Sequence, residues 1–180
     1  MIAPVRWLCL LGLAGCFAEG AIGGAATSNA PVTPTGDGFY GRLGAGIGWG
    51  NAWGMVQASA DVMKMGDVAA AGGAARATVF VVSEEEDDGV AGLGLTARAF
   101  HGFGIGDAHA TDELSFGFAF GAFDRKAKTI ESADLSFTID STSFDTRSSI
   151  RTYGINLGIA ADPETFLEIL GCITLIDCRL

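Results

Sequence analysis

The chain is poor in the residues that many binding and catalytic sites need. Its 180 residues include 11 lysines and arginines against 21 acids, which gives a net charge of −10, and only two histidines. A chain this acidic lacks the clustered basic side chains that bind nucleic acid, so we expect no nucleic-acid partner. It also lacks a Gly-x-Ser-x-Gly nucleophile elbow and a glycine-rich phosphate loop followed by a helix. We therefore expect neither an enzyme nor a cofactor.

Proline and long hydrophobic runs are scarce as well. The chain has four prolines and 27 glycines, and apolar residues accompany the glycines, which excludes the composition of a disordered linker. Hydrophobic residues make up 49% of the chain, yet no run of the ~20 apolar residues that a transmembrane helix needs is present. The hydrophobic residues are instead distributed in a regular pattern.

That pattern is a strict alternation. In residues 114–123, LSFGFAFGAF, every second position holds Leu114, Phe116, Phe118 or Phe120, with small residues between them. Alternate side chains of a strand point to opposite faces, so this run predicts a strand with one apolar and one small face. The same period recurs at 38–50, 91–100, 132–140 and 151–160, and more weakly at 53–64, 74–82 and 165–177. We therefore predict an all-β fold, an antiparallel up-and-down β-barrel of about eight strands.

A barrel whose strands have one apolar face fits two environments. In a soluble barrel that face fills the interior, whereas in a membrane barrel it contacts lipid and the interior is polar or small. The opposite face here is often glycine, which suits a narrow, crowded interior and weakens a solvent-exposed strand. We favour the membrane form and keep the soluble form open. In the membrane form, Arg42 and Arg98 would point into the lumen and pair with acids such as Asp134 and Asp140.

The first residues resemble a bacterial lipoprotein signal. Residues 1–16, MIAPVRWLCLLGLAGC, join a positive start to an apolar run, and Leu13-Ala14-Gly15-Cys16 is similar to a lipobox, in which the cysteine is acylated and becomes the first mature residue. The resemblance implies a signal peptide over 1–15, export from the cytoplasm and a palmitate-type anchor on Cys16. The alternative is an ordinary secretory signal cleaved near Gly20. Residues 16–37, rich in Gly, Ala, Ser, Thr and Pro, then predict a flexible tether, and 38–180 a barrel domain.

The first clear strand adds a second resemblance. The segment FYGRLGAGIGWG, residues 39–50, is similar to the first strand of small porin-like outer-membrane proteins of Gram-negative bacteria. This resemblance implies an eight-stranded barrel with a structural or binding role at the outer membrane, with membrane lipid as its partner. Such barrels usually end in an aromatic residue, whereas this chain ends DCRL. The alternatives are a soluble lipocalin-like lipoprotein that binds an apolar ligand, a narrow pore, and an accessory subunit bound to another envelope protein.

The remaining features are local. Cys172 and Cys178 would lie about 20 Å apart in one extended strand, so a disulfide between them requires a turn. His101, Asp107 and His109 place metal-ligand residue types in one short span, but their spacing matches no established motif, so we predict no metal site. The sequence Asp162-Pro163-Glu164 predicts the start of a short helix ending near Gly171.

Overall fold

The computed structural model describes residues 15–28, 38–106, 108–144 and 149–175, with side chains described as far as Gly171. These residues form eight strands and one helix. The strands are β1 (Gly15–Ser28), β2 (Gly38–Asn51), β3 (Gly54–Met65), β4 (Val68–Glu86), β5 (Gly89–Ile105), β6 (Ala108–Asp124), β7 (Thr129–Phe144) and β8 (Ser149–Ala161), and the helix is α1 (Pro163–Leu175). Within the described ranges, no helix has both the length and the hydropathy to cross a membrane.

The eight strands close into a single barrel. Each strand pairs antiparallel with the next, and β1 pairs antiparallel with β8 to complete the ring. The predicted fold class is therefore confirmed. The five clearly alternating segments became β2, β5, β6, β7 and β8, and two of the weaker segments became β3 and β4. Residues 165–175 of the third weak segment lie in α1, which begins at the predicted helix start, and residues 176–177 lie outside the described ranges.

Strand β1 corrects the prediction of a tether over 16–37 and of a barrel that begins at residue 38. Residues from Gly15 to Ala25 pair with β2, and residues from Ala18 to Ser28 pair with β8. Alternation of large and small side chains is weak here because the outer face carries the small residues Ala18 and Gly20, and Phe166 of α1 packs on Gly20. Small residues on this face signal a linker by composition, although in the fold they make room for a covering helix. Residues 29–37 lie outside the described ranges.

The barrel has two distinct ends. We call the acidic end the one with the turns at 52–53, 87–88 and 125–128, and the opposite end the one with the turn at 66–67. The hairpin of β4 and β5 carries the exposed acidic run Glu84–Asp88 at the acidic end. Arg125, in the neighbouring turn, forms an ion pair with Glu85 of this hairpin.

Strand β8 stops short of the acidic end, and the chain leaves the wall there. Beyond Ala161, strands β1 and β7 come together directly: the Cys16 amide donates to the Lys128 carbonyl at 2.9 Å, and Cys16 pairs with Thr129. The backbone amides of Glu164 and Thr165 donate to Asp162 Oδ1 at 3.0 and 3.2 Å, which caps the first turn of α1.

Helix α1 then packs on the outside of β1. A Cβ atom placed on Gly20 would lie 3.0 Å from the Phe166 ring, so glycine leaves the space into which this ring fits. Phe166 is buried there, although it lies outside the barrel.

Candidate functional site

The outer wall of the barrel is apolar. Large hydrophobic side chains that point outward are exposed on every strand from β2 to β8, and Phe118, in the middle of β6, is 67% exposed. The wall includes Leu43, Ile47, Val56, Val62, Val79, Leu93, Leu95, Phe116, Phe120, Leu135, Phe137, Ile155 and Leu157. We call this surface the apolar belt. Its extent far exceeds the few hundred Å² of contiguous apolar surface usual on soluble monomers.

Charged residues mark the two edges of the belt. On β6 the exposed Asp112 and Asp124 enclose five outward apolar positions and lie 12 residues apart. At ~3.3 Å per residue and a typical strand tilt of ~40°, this separation spans about 30 Å along the barrel axis. Exposed Lys64 and Arg151 lie at the same edge as Asp112, and exposed Glu131 lies at the edge of Asp124. The belt thus has about the height of the hydrocarbon core of a bilayer.

The interior, in contrast, holds buried charges. Seven inward side chains form a connected network of ion pairs, one from each of the strands β1 to β7. We call it the ion-pair network: Glu19, Arg42, Asp61, Arg76, Arg98, Glu113 and Asp134. All seven are buried. Charges this deep are tolerated only when they are paired and hydrogen-bonded, so the network ties the strands to one another.

Arg42 and Arg98 share two acids. The Arg42 guanidinium lies 3.8 Å from Asp61 and 3.6 Å from Glu113, and Arg98 forms close ion pairs with the same two carboxylates. Arg42 also lies 3.4 Å from Glu19. The partners predicted from the sequence, Asp134 and Asp140, are not among these contacts, because the register places them beside other strands.

Arg76 completes the network from β4. Its guanidinium lies 3.3 Å from Glu19 and 3.0 Å from Asp134, so it connects β1 with β7. Sequence reasoning missed both Arg76 and Glu19. The signal for Arg76 was its parity with Thr78 and Phe80, which places it on the inward face of β4. Glu19 had no comparable signal, because its strand was not recognised.

Neutral donors satisfy the acids further. The Tyr40 hydroxyl donates to Glu113 Oε2 at 2.6 Å, and the Ser115 hydroxyl donates to Glu113 Oε1 at 3.0 Å. On the other side of the network, the Ser59 hydroxyl donates to Glu19 Oε1 at 2.7 Å. These hydrogen bonds fix the orientation of the carboxylates.

Two apolar clusters close the interior above and below the network. The cluster towards the acidic end consists of Phe17, Met55, Phe80, Val90, Phe123, Ile130 and Ala160. The cluster towards the opposite end consists of Ala21, Tyr40, Met63, Met65, Ala70 and Phe100. A barrel of eight strands has an interior just wide enough for side chains to fill, and here large side chains fill it at both levels.

The inward glycines make room for these side chains. A Cβ atom on Gly92 would lie 2.5 Å from the Phe80 ring, and one on Gly158 would lie 2.5 Å from Asp134 Oδ1. A Cβ atom on Gly44 would overlap the carboxylate of Asp61. The glycine-rich face of the strands is therefore the crowded interior. There the missing side chain of a glycine leaves space for a larger side chain on a neighbouring strand.

Asp140 differs from the other inward acids. It is 1% exposed and lies opposite Glu113 in the pairing of β6 with β7. Among the described residues, no side chain forms an ion pair with it, and its carboxyl group lies beside that of Glu113. The four inward charges named from the sequence thus lie in the interior, but only three of them belong to the ion-pair network.

The histidine-rich span divides between two faces. His101 Nδ1 lies 2.6 Å from Asp112 Oδ1 on the outer wall, while the next residue, Glu113, points inward to the network. His109 is exposed, and Asp107 lies outside the described ranges. Within the described part of the chain, no three His, Cys, Asp or Glu side chains are grouped as metal ligands.

The cysteines bear on the predicted lipid anchor. Cys16 is buried and disulfide-bonded, and the side chains of Cys9, Cys172 and Cys178 all lie outside the described part of the chain. A sulfur in a disulfide cannot also carry a lipid, so the disulfide at Cys16 and the predicted acyl anchor are alternative states of this residue, and the anchor stays a prediction. The predicted bridge between Cys172 and Cys178 falls outside the residues whose side chains are described, as do residues 1–14 of the signal peptide predicted over 1–15.

Comparisons with known proteins concern the fold alone. No family model matches the chain, and no curated protein matches it significantly. Among solved structures, the chain is similar to the crystal structure of Neisserial surface protein A, with 15% sequence identity and a TM-score of 0.41. The match covers 83% of this chain and 98% of that chain. A similarity of this size says nothing about function.

Proposed function

We propose that this chain is an integral β-barrel protein of the bacterial outer membrane, with a structural or binding role and a sealed interior. The observation that carries the proposal is the distribution of side chains across the wall: large apolar residues point outward on all eight strands, and the buried charges point inward. That distribution is typical of a barrel whose outer solvent is lipid.

The alternative of a soluble lipocalin-like barrel has less support. Such a barrel needs an apolar cavity for its ligand and a polar outer wall. Here the centre of the interior is occupied by the ion-pair network, and phenylalanines such as Phe116, Phe118 and Phe120 are each at least half exposed. In water these side chains would promote aggregation.

A conducting pore also has less support. Phe17 and Phe123 belong to the cluster at one level of the interior, Tyr40 and Phe100 belong to the cluster at the other, and each is at most 3% exposed. With both levels filled, solute has no described path along the axis. We therefore expect no steady conductance when the purified barrel is added to a planar bilayer, and channel-like steps would contradict the sealed interior.

The decisive experiment is fractionation of a Cys16→Ser variant. If the belt holds the protein in the membrane, the variant stays in the outer-membrane fraction, resists alkaline extraction and migrates differently on gels before and after heating. If the variant is released into the soluble fraction, an acyl anchor held the protein and the integral barrel is wrong. Non-reducing mass spectrometry of the mature wild-type chain then distinguishes the disulfide at Cys16 from the lipid that the lipobox implies.

An accessory subunit of a larger envelope complex is the second candidate. The observation that favours it is the β4–β5 hairpin, whose exposed acids Glu84–Asp88 lie at the acidic end beyond the last pairing of β4 with β3. Chemical crosslinking in intact cells tests this role, and recovery of the barrel only as an uncrosslinked monomer would speak against it.

A further inference from the structure

We infer that α1 is an interfacial helix, which lies in the headgroup boundary of the bilayer against the outer wall of β1 and directs Leu167 towards the acyl chains. The partner is a lipid surface. The inference rests on the proposed function, since it requires the barrel to lie in a membrane.

The level at which α1 begins is the first argument. Strand β8 ends at Ala161, and its neighbour Ala160 pairs with Ser132 of β7. Ser132 adjoins the exposed Glu131, which marks the edge of the apolar belt. From this edge the helix turns back over the wall, because Phe166 packs on Gly20, a residue that pairs with Ile159 inside the belt. The first turn of α1 therefore begins at the polar edge of the belt and packs on the wall just inside it.

Exposed tryptophans lie on the same side of the belt. Trp49, near the end of β2, is 44% exposed, and Trp53, in the turn between β2 and β3, is 83% exposed. Both lie towards the acidic end of the barrel, the end towards which β8 runs before α1 begins. Tryptophan is enriched where the hydrocarbon core meets the headgroups, because its ring is apolar and its N–H can still reach water.

The faces of the helix are the second argument. Successive residues of an α-helix are rotated by about 100°. Glu164 and Glu168, two positions before and after the buried Phe166, therefore lie almost opposite the wall, and both are exposed. Two carboxylates on this face are costly in hydrocarbon, so the helix cannot lie deeper than the headgroups.

The two flanks of the helix both carry an apolar side chain. Leu167 is 60% exposed on one flank, and on the other the half-buried Ile169 lies one turn after the exposed Thr165. Apolar flanks and a charged outer face are the pattern of a helix that lies in the plane of the interface. A protein partner fits less well, because a stable interface buries about 800 Å² on each side, and the exposed apolar surface of the described side chains of α1 is far smaller.

Depth-resolved fluorescence quenching tests the inference. In a chain with Trp7, Trp49 and Trp53 replaced by phenylalanine, single tryptophans are placed at Leu167, at Thr165 or at Phe118, and each variant is folded into phosphatidylcholine vesicles brominated at shallow or deep acyl positions. We expect Leu167→Trp to be quenched best by shallow bromines, Phe118→Trp best by deep bromines, and Thr165→Trp only weakly.

The outcomes separate the inference from the proposed function. If Phe118→Trp is quenched by deep bromines while Leu167→Trp is quenched no more than Thr165→Trp, the barrel is embedded and the interfacial helix is wrong. If Phe118→Trp is not quenched, the proposed function fails, and the inference fails with it. Should the tryptophan-free chain not fold, the same substitutions are made in the native chain and the quenching of the parent is subtracted, with the same criteria.

Discussion

Arg76 on β4 and Asp134 on β7 meet across the interior of the barrel, with Nη1 and Oδ1 3.0 Å apart. The two atoms are at ion-pair distance without the alignment of a hydrogen bond. Arg76 is the only described cation paired with Asp134, whereas Glu19, the other partner of Arg76, also has Arg42. This contact therefore couples two strands that are not neighbours in the sheet.

Removing Arg76 should leave the buried carboxylate of Asp134 without a cation. We expect Arg76→Met to lower the free energy of unfolding by about 3–5 kcal/mol, because Asp134 is left buried without a cation. The double variant Arg76→Met with Asp134→Asn should recover part of that loss. Urea titration of the barrel folded in lipid vesicles measures both values. Strict additivity of the two single changes would mean that the contact carries no coupling energy.

The belt should reject a charge at its centre and accept one at its edge. Phe118 lies midway between Asp112 and Asp124, so Phe118→Lys should lower the free energy of unfolding in a bilayer by about 2–4 kcal/mol. Glu131→Lys, at the belt edge, is the matched control and should change it by less than about 1 kcal/mol. The measurement is folding into vesicles followed by urea titration. Equal, small effects at both positions would show that the outer wall does not contact lipid.

The two outward glycines of β1 should respond differently to a side chain. Gly20→Val places new atoms against the Phe166 ring and Leu43, so it should displace α1 and cost about 1–3 kcal/mol. Gly24→Val meets no atom within 4 Å of its Cβ and should be nearly neutral. Hydrogen exchange of the α1 amides reads out the displacement. Unchanged exchange in Gly20→Val would show that α1 does not depend on this contact.

Asp134 and Asp140 should respond in opposite directions to replacement by asparagine. Asp140 is buried beside the carboxyl group of Glu113, so Asp140→Asn removes the cost of placing two acids side by side, and we expect a gain of about 1–3 kcal/mol in the free energy of unfolding. Asp134→Asn leaves Arg76 without its closest acid and should lower the same quantity. Both values come from the urea titration used above. A loss of stability in Asp140→Asn would show that the contact between Asp140 and Glu113 stabilises the barrel.

The cap of α1 should depend on pH. Hydrogen bonds from the side chain of Thr165, and from the amides of Thr165 and Glu164, hold the pKa of Asp162 below its usual range. Its stabilising effect is therefore complete above the usual carboxylate pKa of about 4 and is lost as the pH falls through the lowered folded-state value. We expect α1 amides to exchange faster in that acidic window in the wild type, and Asp162→Ala to exchange faster at neutral pH without the acid step. A shared acid step in both chains would assign it to another group.

The sequence identified the strands whose two faces differ most in size. Runs such as 114–123 place phenylalanine against glycine, and a lipid-facing wall around a crowded interior produces that contrast. Strand β1 was not recognised because α1 covers part of its outer face, so Gly20 is small because of Phe166, a residue far along the chain. A contact this distant leaves no periodic signal near residue 18.

The ion-pair network was predictable in part. The parity of Arg42 and Arg98 indicated that they share the small-residue face, and both are buried in the interior. Their partners depend on strand register and barrel stagger, which place Asp61 and Glu113 beside them instead of Asp134 and Asp140. Glu113 carried no signal of this pairing in the sequence, although the two-residue period of β6 places it on the inward face and Asp112 on the outward face.

Because the described wall starts at Gly15, the place where a predicted signal peptide is cut would decide whether the barrel can close. A peptidase that cuts just before Cys16 leaves Glu19 and nearly all of β1 in place, whereas one that cuts after Gly20 removes Glu19 and Gly20, on which Phe166 packs. A chain cut at the wrong place would begin within β1. Arg42 and Arg76 would each lack one acidic partner, and β1 could not pair along its full length with β2 and β8. Export fidelity and barrel closure would then be selected together, through the same few residues.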